Sequence, residues 1–401
     1  MKETIQPVIA PQGSIIEVLA AFTRLGLTSF GGPIAHLGYF REEFVVRRRW
    51  LDDRTYADLV ALCQFLPGPA SSQTGIALGV MRAGLPGALA AWIGFTLPSA
   101  LLMIAAAYGV TSLGADTVAL HGLKVVAVAV VAQAVWGMAR TLCPDRERAT
   151  IAILAAVALL VWSSALAQIV IIVAGGMIGW RLLRSGAPAA APVPLAAFDR
   201  RLAIGCWIAF FGLLIALPLA RTVFPFRALE LFDSFYRAGA LVFGGGHVVL
   251  PLLYAEVTPP GWVSEAQFIA GYGMAQAVPG PLFTFAAYLG AVQTPIPNGW
   301  AGGTLALLAI FLPAWLLVIG ALPFWNWLRS REETQAALRG INAAVVGILL
   351  ATLYTPVMTS AIMTVRDAAL ALACFGMIAV WKWPSWLVVV VAAGIGWAVS
   401  A

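Results

Sequence analysis

Two kinds of helix breaker recur at fixed places in an otherwise apolar chain. The stretch from Phe22 to Pro69 opens FTRLGLTSFGGPIAH and closes QFLPGP. A second copy, from Phe235 to Pro281, opens FYRAGALVFGGGHVV and closes QAVPGP. Shifted by 213 residues, Phe22, Arg24, Gly26, Phe30, Gly31, Gly32 and Glu43 meet Phe235, Arg237, Gly239, Phe243, Gly244, Gly245 and Glu256. With one residue dropped, Trp50, Gln64, Pro67, Gly68 and Pro69 meet Trp262, Gln276, Pro279, Gly280 and Pro281. An internal repeat decides the architecture before any single element does. What repeats here is an arginine in an apolar run, a Gly-Gly break and a Pro-Gly-Pro break.

The setting of these breaks is a membrane. Of 401 residues 61% are hydrophobic and 10% are charged, where a soluble domain carries roughly 25% charged. The chain therefore reads as an all-α polytopic membrane protein. Its net charge of +6 belongs to loops facing the cytoplasm and is not a nucleic-acid signal. Lys2 and Glu3 offer no basic leader, and Glu17 and Arg24 interrupt the first apolar run, so no cleaved signal is expected. Cys63, Cys143, Cys206 and Cys374 stand singly and lack metal-ligand or redox spacing.

Apolar runs cover 14–30 and 34–46, then 55–66 and 70–81, separated by Pro67-Gly68-Pro69. At about 1.5 Å per residue the last two reach only about 18 Å, against a hydrocarbon core of roughly 30 Å. They read as the arms of a re-entrant hairpin. Longer runs follow near 86–110, 119–140, 149–163 and 165–183. Residues 184–199, rich in Ala and Pro, read as a linker, and an unpaired span follows at 202–220. The second half repeats the order: a broken run at 229–254, a hairpin at 265–293, and runs near 299–322, 336–356, 366–381 and 384–400. The expected organisation is a first repeat at 1–183, a linker with one helix at 184–228, and a second repeat at 229–401.

Charge orients the copies. Arg41, Arg47, Arg48, Arg49 and Arg54 crowd the loop after the first break, whereas its counterpart, 254–265, has no Lys or Arg. Arg82 follows the first hairpin, and 293–299 is uncharged. Conversely, 111–120 has no Lys or Arg, while the matching loop carries Arg329, Arg331 and Arg339. By the positive-inside rule these are two inverted-topology repeats with broken, re-entrant helices. Segment 14–40 is then expected to enter and leave on one side, bending at Gly31-Gly32-Pro33.

Pro33 and Pro69 look like helix starts. Peptide N–H groups there lack carbonyl partners, and the helix dipole is positive, so such ends bind anions. In transporters with inverted repeats these ends point at the substrate near the midplane. Thr28 and Ser29 lie before the first start, and Ser71 and Ser72 just inside the second. Arg24 and Arg237 bring five donors each, suited to an oxyanion; the competing reading of Arg24 is snorkelling to headgroups. His36 and His247 follow the two glycine breaks and are candidates for proton transfer, anion binding or a structural role. Asp58, opposite Ala270, is a candidate for proton coupling or a cap near the interface. Gln64 and Gln276 either bond substrate or hold the turn. The candidate binding set is completed by Gly31, Gly32, Pro67, Gly68, Gly244, Gly245, Pro279, Gly280 and Pro281.

Taken together and in this order, SFGGPIAH, QFLPGP, VFGGGH and QAVPGP resemble the chromate ion transporter family, in its long form with two homologous halves. The resemblance covers nearly all of both halves. It implies chromate export across the bacterial inner membrane, driven by the proton-motive force, giving chromate resistance. The residues alone reach only an oxyanion transporter; sulfate is a tetrahedral dianion of the same shape. Chromate or sulfate, protons and the bilayer are the expected partners, with pairing of two copies left open. The second copy has Gly246 for Pro33 and Val249 for His36, so the first half is expected to bind more of the anion. A membrane-embedded oxyanion reductase is the competing class. It needs a redox cofactor, and the chain offers no cysteine pair and no dinucleotide fingerprint; Gly271-Tyr272-Gly273 lacks the remaining glycine. No cofactor and no metal are expected.

These orientations predict the reach of an impermeant thiol reagent in intact cells. A cysteine in the Arg47–Arg49 loop should be shielded and one at Thr258 should react. Labelling of both from the same side would remove the inversion.

Overall fold

A computed structural model describes residues 13–113, 118–184, 200–243, 246–325 and 331–400. The described residues are helical with connecting turns. In the first half, α1 (Ile15–Thr28) and α2 (Gly32–Arg41) flank the Gly-Gly break, and α3 (Asp53–Phe65) and the start of α4 (Ala70–Leu113) flank Pro-Gly-Pro. α4 breaks at Ala83-Gly84, where Gly84 has φ 65° and ψ −159°, into a short arm and a long one. α5 (Val118–Leu142), α6 (Arg146–Val161) and α7 (Ala165–Leu182) complete it. α8 (Arg200–Val223) stands between the halves.

The second half follows the same order. α9 (Arg227–Ala240) and α10 (Val249–Val257) flank its glycine break, and α11 (Glu265–Ala277) and α12 (Phe285–Val292) flank its Pro-Gly-Pro. Then come α13 (Gly299–Ala321), α14 (Glu332–Thr352), α15 (Val365–Ala379) and α16 (Ser385–Ser400). The boundaries fall where local chemistry puts them. Ser14, Asp52, Asp145 and Ser164 each accept a backbone N–H of the first helical turn, and Ser264 and Thr364 form capping boxes. The Thr55 N–H, at 2.7 Å, holds the Asp52 carboxyl below the usual carboxylate range. Five helices among the described residues are long and apolar enough to cross a membrane, within 70–112, 121–142, 200–223, 299–324 and 332–361. This is an all-α polytopic membrane protein.

The long arm of α4 is a ruler for the rest. At its near end the Arg82 carbonyl accepts the Gly13 N–H at 3.2 Å. The Arg82 guanidinium meets Glu17 at 3.1 Å and lies 5.1 Å from the centre of the Trp50 ring. The start of α1, the loop after α2 and the end of the short arm therefore meet at one end. Both first-half hairpins have their feet there. At the far end the Trp300 N–H donates to the Tyr108 hydroxyl at 3.3 Å. The second-half feet gather similarly around Trp262: Arg227 lies 3.8 Å from its ring centre, and its carbonyl accepts the Thr294 N–H at 3.0 Å. Midway along, α4 meets the tip of the second-half hairpin at Phe95 and Ser99. Hairpins thus rise from both ends and meet in the middle.

The halves also exchange helices. α5 packs against α15 and α16, and α14 packs against α6 and α7. The second seam is built of small residues: a Cβ on Gly340 would lie 2.1 Å from the Gly175 carbonyl oxygen and 2.7 Å from Gly179 Cα. Lipid gives helices no hydrophobic reason to associate, so close backbone approach supplies the contact. α8 leans on α13 through Trp207, whose indole N–H donates to the Gly320 carbonyl at 2.9 Å. Its other face, with Ile204, Ile208, Phe211, Ile215 and Leu219, is exposed, as lipid contact requires.

Gly340→Val should separate α14 from α7, since overpacking costs about 1–3 kcal/mol. The expected outcome is a clear fall in melting temperature of the detergent-solubilised protein. An unchanged transition would show that the seam is loose.

Candidate functional site

Four hairpin tips converge at the middle of the molecule. The Gly280 N–H donates to the Ser29 carbonyl at 2.9 Å, and the Gly68 N–H donates to the Val242 carbonyl at 2.7 Å. Ser29 and Val242 occupy equivalent places in the two copies, as do Gly68 and Gly280. Each Pro-Gly-Pro tip of one half therefore closes on the glycine break of the other. The breaks themselves touch: a Cβ on Gly246 would stand 3.0 Å from Pro33 Cγ, and these two residues are also equivalents. Left-handed backbone makes the turns possible, with φ of 100° at Gly31, 78° at Gly32, 125° at Gly68 and 93° at Gly280. Gly244 and Gly245 lie outside the described residues.

In the first half the tips carry polar side chains. α2 starts at Gly32 with Pro33 in its first turn, and no side chain caps it. α4 starts at Ala70, directly after Pro69. His36, 1% exposed, ties the two starts together. Its Nε2 lies 3.2 Å from the Ser29 carbonyl and its Nδ1 3.4 Å from Ser71 Oγ. A carbonyl only accepts, so Nε2 carries the hydrogen and, in the neutral ring, Ser71 donates to Nδ1. The ring packs edge-on to Phe95. Gln73 holds the turn, its Nε2 donating to the Pro67 carbonyl at 2.8 Å. The Ser29, Ser72 and Thr96 hydroxyls and the Gln276 amide nitrogen are buried without a hydrogen-bond partner among the described residues. Leaving such a group unpaired costs about 1–3 kcal/mol. All four can donate, as the bare N-termini of α2 and α4 can.

The second half is less polar here. Val242, Val249 and Phe283 stand where the first half has Ser29, His36 and Ser71. His247 turns to Tyr272, 2.7 Å from its hydroxyl.

Other expected residues stand on the helices that lead to the tips. Arg24 is exposed on α1 and makes no ion pair among the described residues. Thr28 is exposed and bonds the Arg24 carbonyl at 2.8 Å. Gln64 is exposed, whereas its counterpart Gln276 is buried. Asp58 is half-buried on α3. Arg237 is held by Asp233 at 3.1 Å and Glu256 at 3.0 Å. Gln73, Thr96 and Tyr272 were not legible as site residues. Gln73 had a signal, a glutamine within an apolar arm beside Ser71 and Ser72; Thr96 reaches the tips only through the packing of α4.

Broken hairpins meeting inside an apolar bundle, with donors gathered at their tips, define a membrane protein of the transporter kind. The sequence matches the chromate transporter family over residues 16–180 and 229–397. The chain belongs to that family. It is 29% identical over 410 residues to a chromate transport protein of Pseudomonas aeruginosa, covering 98% of this chain and 94% of that one. It is 27% identical over 354 residues to a chromate transport protein of Cupriavidus metallidurans, covering 85% and 82%. An uncharacterized transporter of Methanocaldococcus jannaschii is 23% identical over 344 residues, covering 84% and 83%. No solved structure matches.

Gly32→Leu and Gly68→Leu should each abolish chromate transport while the protein still reaches the membrane. A Cβ at Gly32 meets open space, so its penalty is the positive φ and the side chain laid across the start of α2; at Gly68 a Cβ also lies 2.7 Å from Gln73 Nε2. Normal transport by both would make the breaks mere hinges.

Proposed function

We propose that this protein exports chromate from the cytoplasm across the bacterial inner membrane, driven by the proton-motive force, and so confers chromate resistance. The observation that supports this most is the paired closure of Gly280 on Ser29 and of Gly68 on Val242. It puts two bare helix N-termini and several unpaired hydroxyls at one level, about halfway between the two sets of hairpin feet. A dianion leaving water needs its hydration replaced by fixed donors, and helix N-termini with hydroxyls do this without adding a full charge. With the copies inverted, each end of the molecule reaches that level by loosening one pair of tips, which is alternating access around a fixed site.

In this reading Ser29, Gly31, Gly32, Pro33, Pro67, Pro69, Ser71 and Ser72 hold the anion from the first half. Gly244, Gly245, His247, Gln276, Pro279 and Pro281 close it from the second. Arg24 supplies charge from α1. His36 can take a proton at Nδ1, and Asp58 is a second titratable group in the same half. Sulfate would meet the same donors and is the alternative substrate.

Inside-out membrane vesicles with an acid interior should accumulate labelled chromate, and collapse of the gradient should stop it. Failure to accumulate would overturn export. The arginines are tested in the same assay. A hydrogen bond to a charged group contributes about 1.5–3 kcal/mol, so losing one from Arg24 should weaken affinity about tenfold to a hundredfold. Lysine keeps the charge but not the two-pronged contact. Arg24→Lys should therefore fail nearly as badly as Arg24→Ala at normal abundance, with Arg237→Lys affected less. Near-normal export by Arg24→Lys would leave Arg24 as a headgroup anchor.

A further inference from the structure

Two polar residues stand on the long exchanged helices, outside the hairpins. α5 carries Lys124 and α14 carries Asn342. Shifted by 218 residues, Leu120-His121-Gly122 meets Leu338-Arg339-Gly340, and Lys124 meets Asn342. Lys124 makes no hydrogen bond or ion pair among the described residues, and the Asn342 Oδ1 is buried without a partner among them. A cation within a membrane-spanning helix is costly, and where it occurs it faces protein or water. Lys124 lies six residues on from Val118, the start of α5, about 9 Å along the helix. Val128 and Val131, one and two turns on along the same face, are buried, and Lys124 is half-buried. That face looks into the protein and not at lipid. One turn the other way, His121 Nε2 meets Asp367 Oδ1 at 2.7 Å, and the second oxygen of Asp367 accepts the Met363 and Thr364 N–H groups. Asp367 is thus occupied and leaves Lys124 unneutralised.

Lys124 adjoins the arm that leads to one of the tips. α5 packs against α11, so closely that a Cβ on Gly273 would lie 2.7 Å from the Leu123 carbonyl oxygen. Gln276, three residues on in α11, has the buried amide nitrogen without a partner at the tip. Lys124 therefore starts about 4.5 Å of helix rise from Gln276, on the side of the Trp262 feet, and its four-carbon stem carries a mobile ammonium. Asn342 also shares a buried face, with Val345, Val346 and Leu349. Its helix, α14, touches the turn Gly246–Val248 at the second-half glycine break.

We propose that Lys124 is a charged specificity residue of the anion site: its ammonium contacts the oxyanion beside Gln276 and makes the site prefer a dianion to a monoanion. This rests on the transporter reading above. The tip donors, which are helix N-termini, hydroxyls and an amide, offer only partial charges. They fit a tetrahedral monoanion as well as a dianion of the same shape. A full positive charge separates the two, because its attraction to a dianion is twice that to a monoanion at the same distance. Lysine suits the place, since a point charge on a flexible stem follows an anion without demanding the two-pronged geometry of arginine. Asn342 puts a neutral amide at the equivalent position, so this charge is supplied by the first half alone.

The test measures labelled chromate transport in membrane vesicles, with perchlorate, a tetrahedral monoanion, as inhibitor. Lys124→Gln should raise the half-saturating chromate concentration about tenfold to a hundredfold. Half the interaction energy is at stake for perchlorate, so its inhibition constant should rise only about threefold to tenfold. Lys124→Arg keeps the charge and should keep most of the preference. A lysine with a merely structural role would shift both anions together, so equal changes for the two, or no change for either, overturn the proposal. A second measurement needs no variant. Lys2, Lys124 and Lys382 are the lysines of the chain. An amine-acetylating reagent should modify Lys124 of the purified wild-type protein, as read by mass spectrometry. Chromate at ten times its half-saturating concentration should slow that reaction about tenfold and leave Lys382 unaffected. Absence of reaction at Lys124, or a reaction that chromate does not slow, overturns the proposal while transport by the same protein leaves the transporter reading standing. Wild-type protein that moves no chromate at all overturns the transporter reading, and this proposal with it.

Discussion

Backbone groups at membrane depth must find partners inside the protein, because the hydrocarbon offers none. A Gly-Gly break leaves carbonyls open at the end of one helix, and a Pro-Gly-Pro turn leaves an N–H open between two others. Here each break supplies what the other half lacks: the Gly280 N–H closes on Ser29, and the Gly68 N–H on Val242. An unsatisfied group in lipid costs several kcal/mol, far more than the roughly 0–1 kcal/mol of an exposed ion pair. Neither half can therefore keep its broken hairpins at that depth alone. The Ser29 carbonyl accepts a second bond, from His36, so the same atom ties the tip closure to the polar side of the site.

The halves share a frame and differ in chemistry. Equivalent backbone positions make equivalent closures, yet Ser29, His36 and Ser71 are replaced by Val242, Val249 and Phe283 in the second copy. Polar tip side chains are concentrated in the first half, and the longer ion-pair chain lies in the second. Glu17 meets Arg82 and Arg48 at the hairpin feet, whereas its equivalent Glu230 enters a chain that runs inward to Arg237. The first half gathers unpaired donors at the tips, and the second carries a chain of balanced charges.

The halves are joined by an exchange of α5 and α14: each long helix packs on the last helices of the opposite half. Contact through Gly175, Gly179 and Gly340 brings backbones together without interdigitated side chains.

Much of the fold was legible in the sequence, because the signals that carry it are local. Apolar run lengths and the Gly-Gly and Pro-Gly-Pro breaks each act over a few residues, and the helix boundaries follow them closely. The 213-residue repeat likewise paired the elements of the two halves. Which side chains meet was decided only by tertiary packing. Arg24 and Arg237 are equivalent in sequence; one is exposed on α1, and the other is held between Asp233 and Glu256, because the second has an aspartate one turn away where the first has Ala20. Gln64 and Gln276 are equivalent too, yet only Gln276 is buried. Thr96 joins the tips because α4 carries it there, more than twenty-five residues beyond Pro67-Gly68-Pro69, and no local pattern could show that. A repeat fixes where backbones go, whereas burial and charge pairing depend on neighbours that the repeat does not specify.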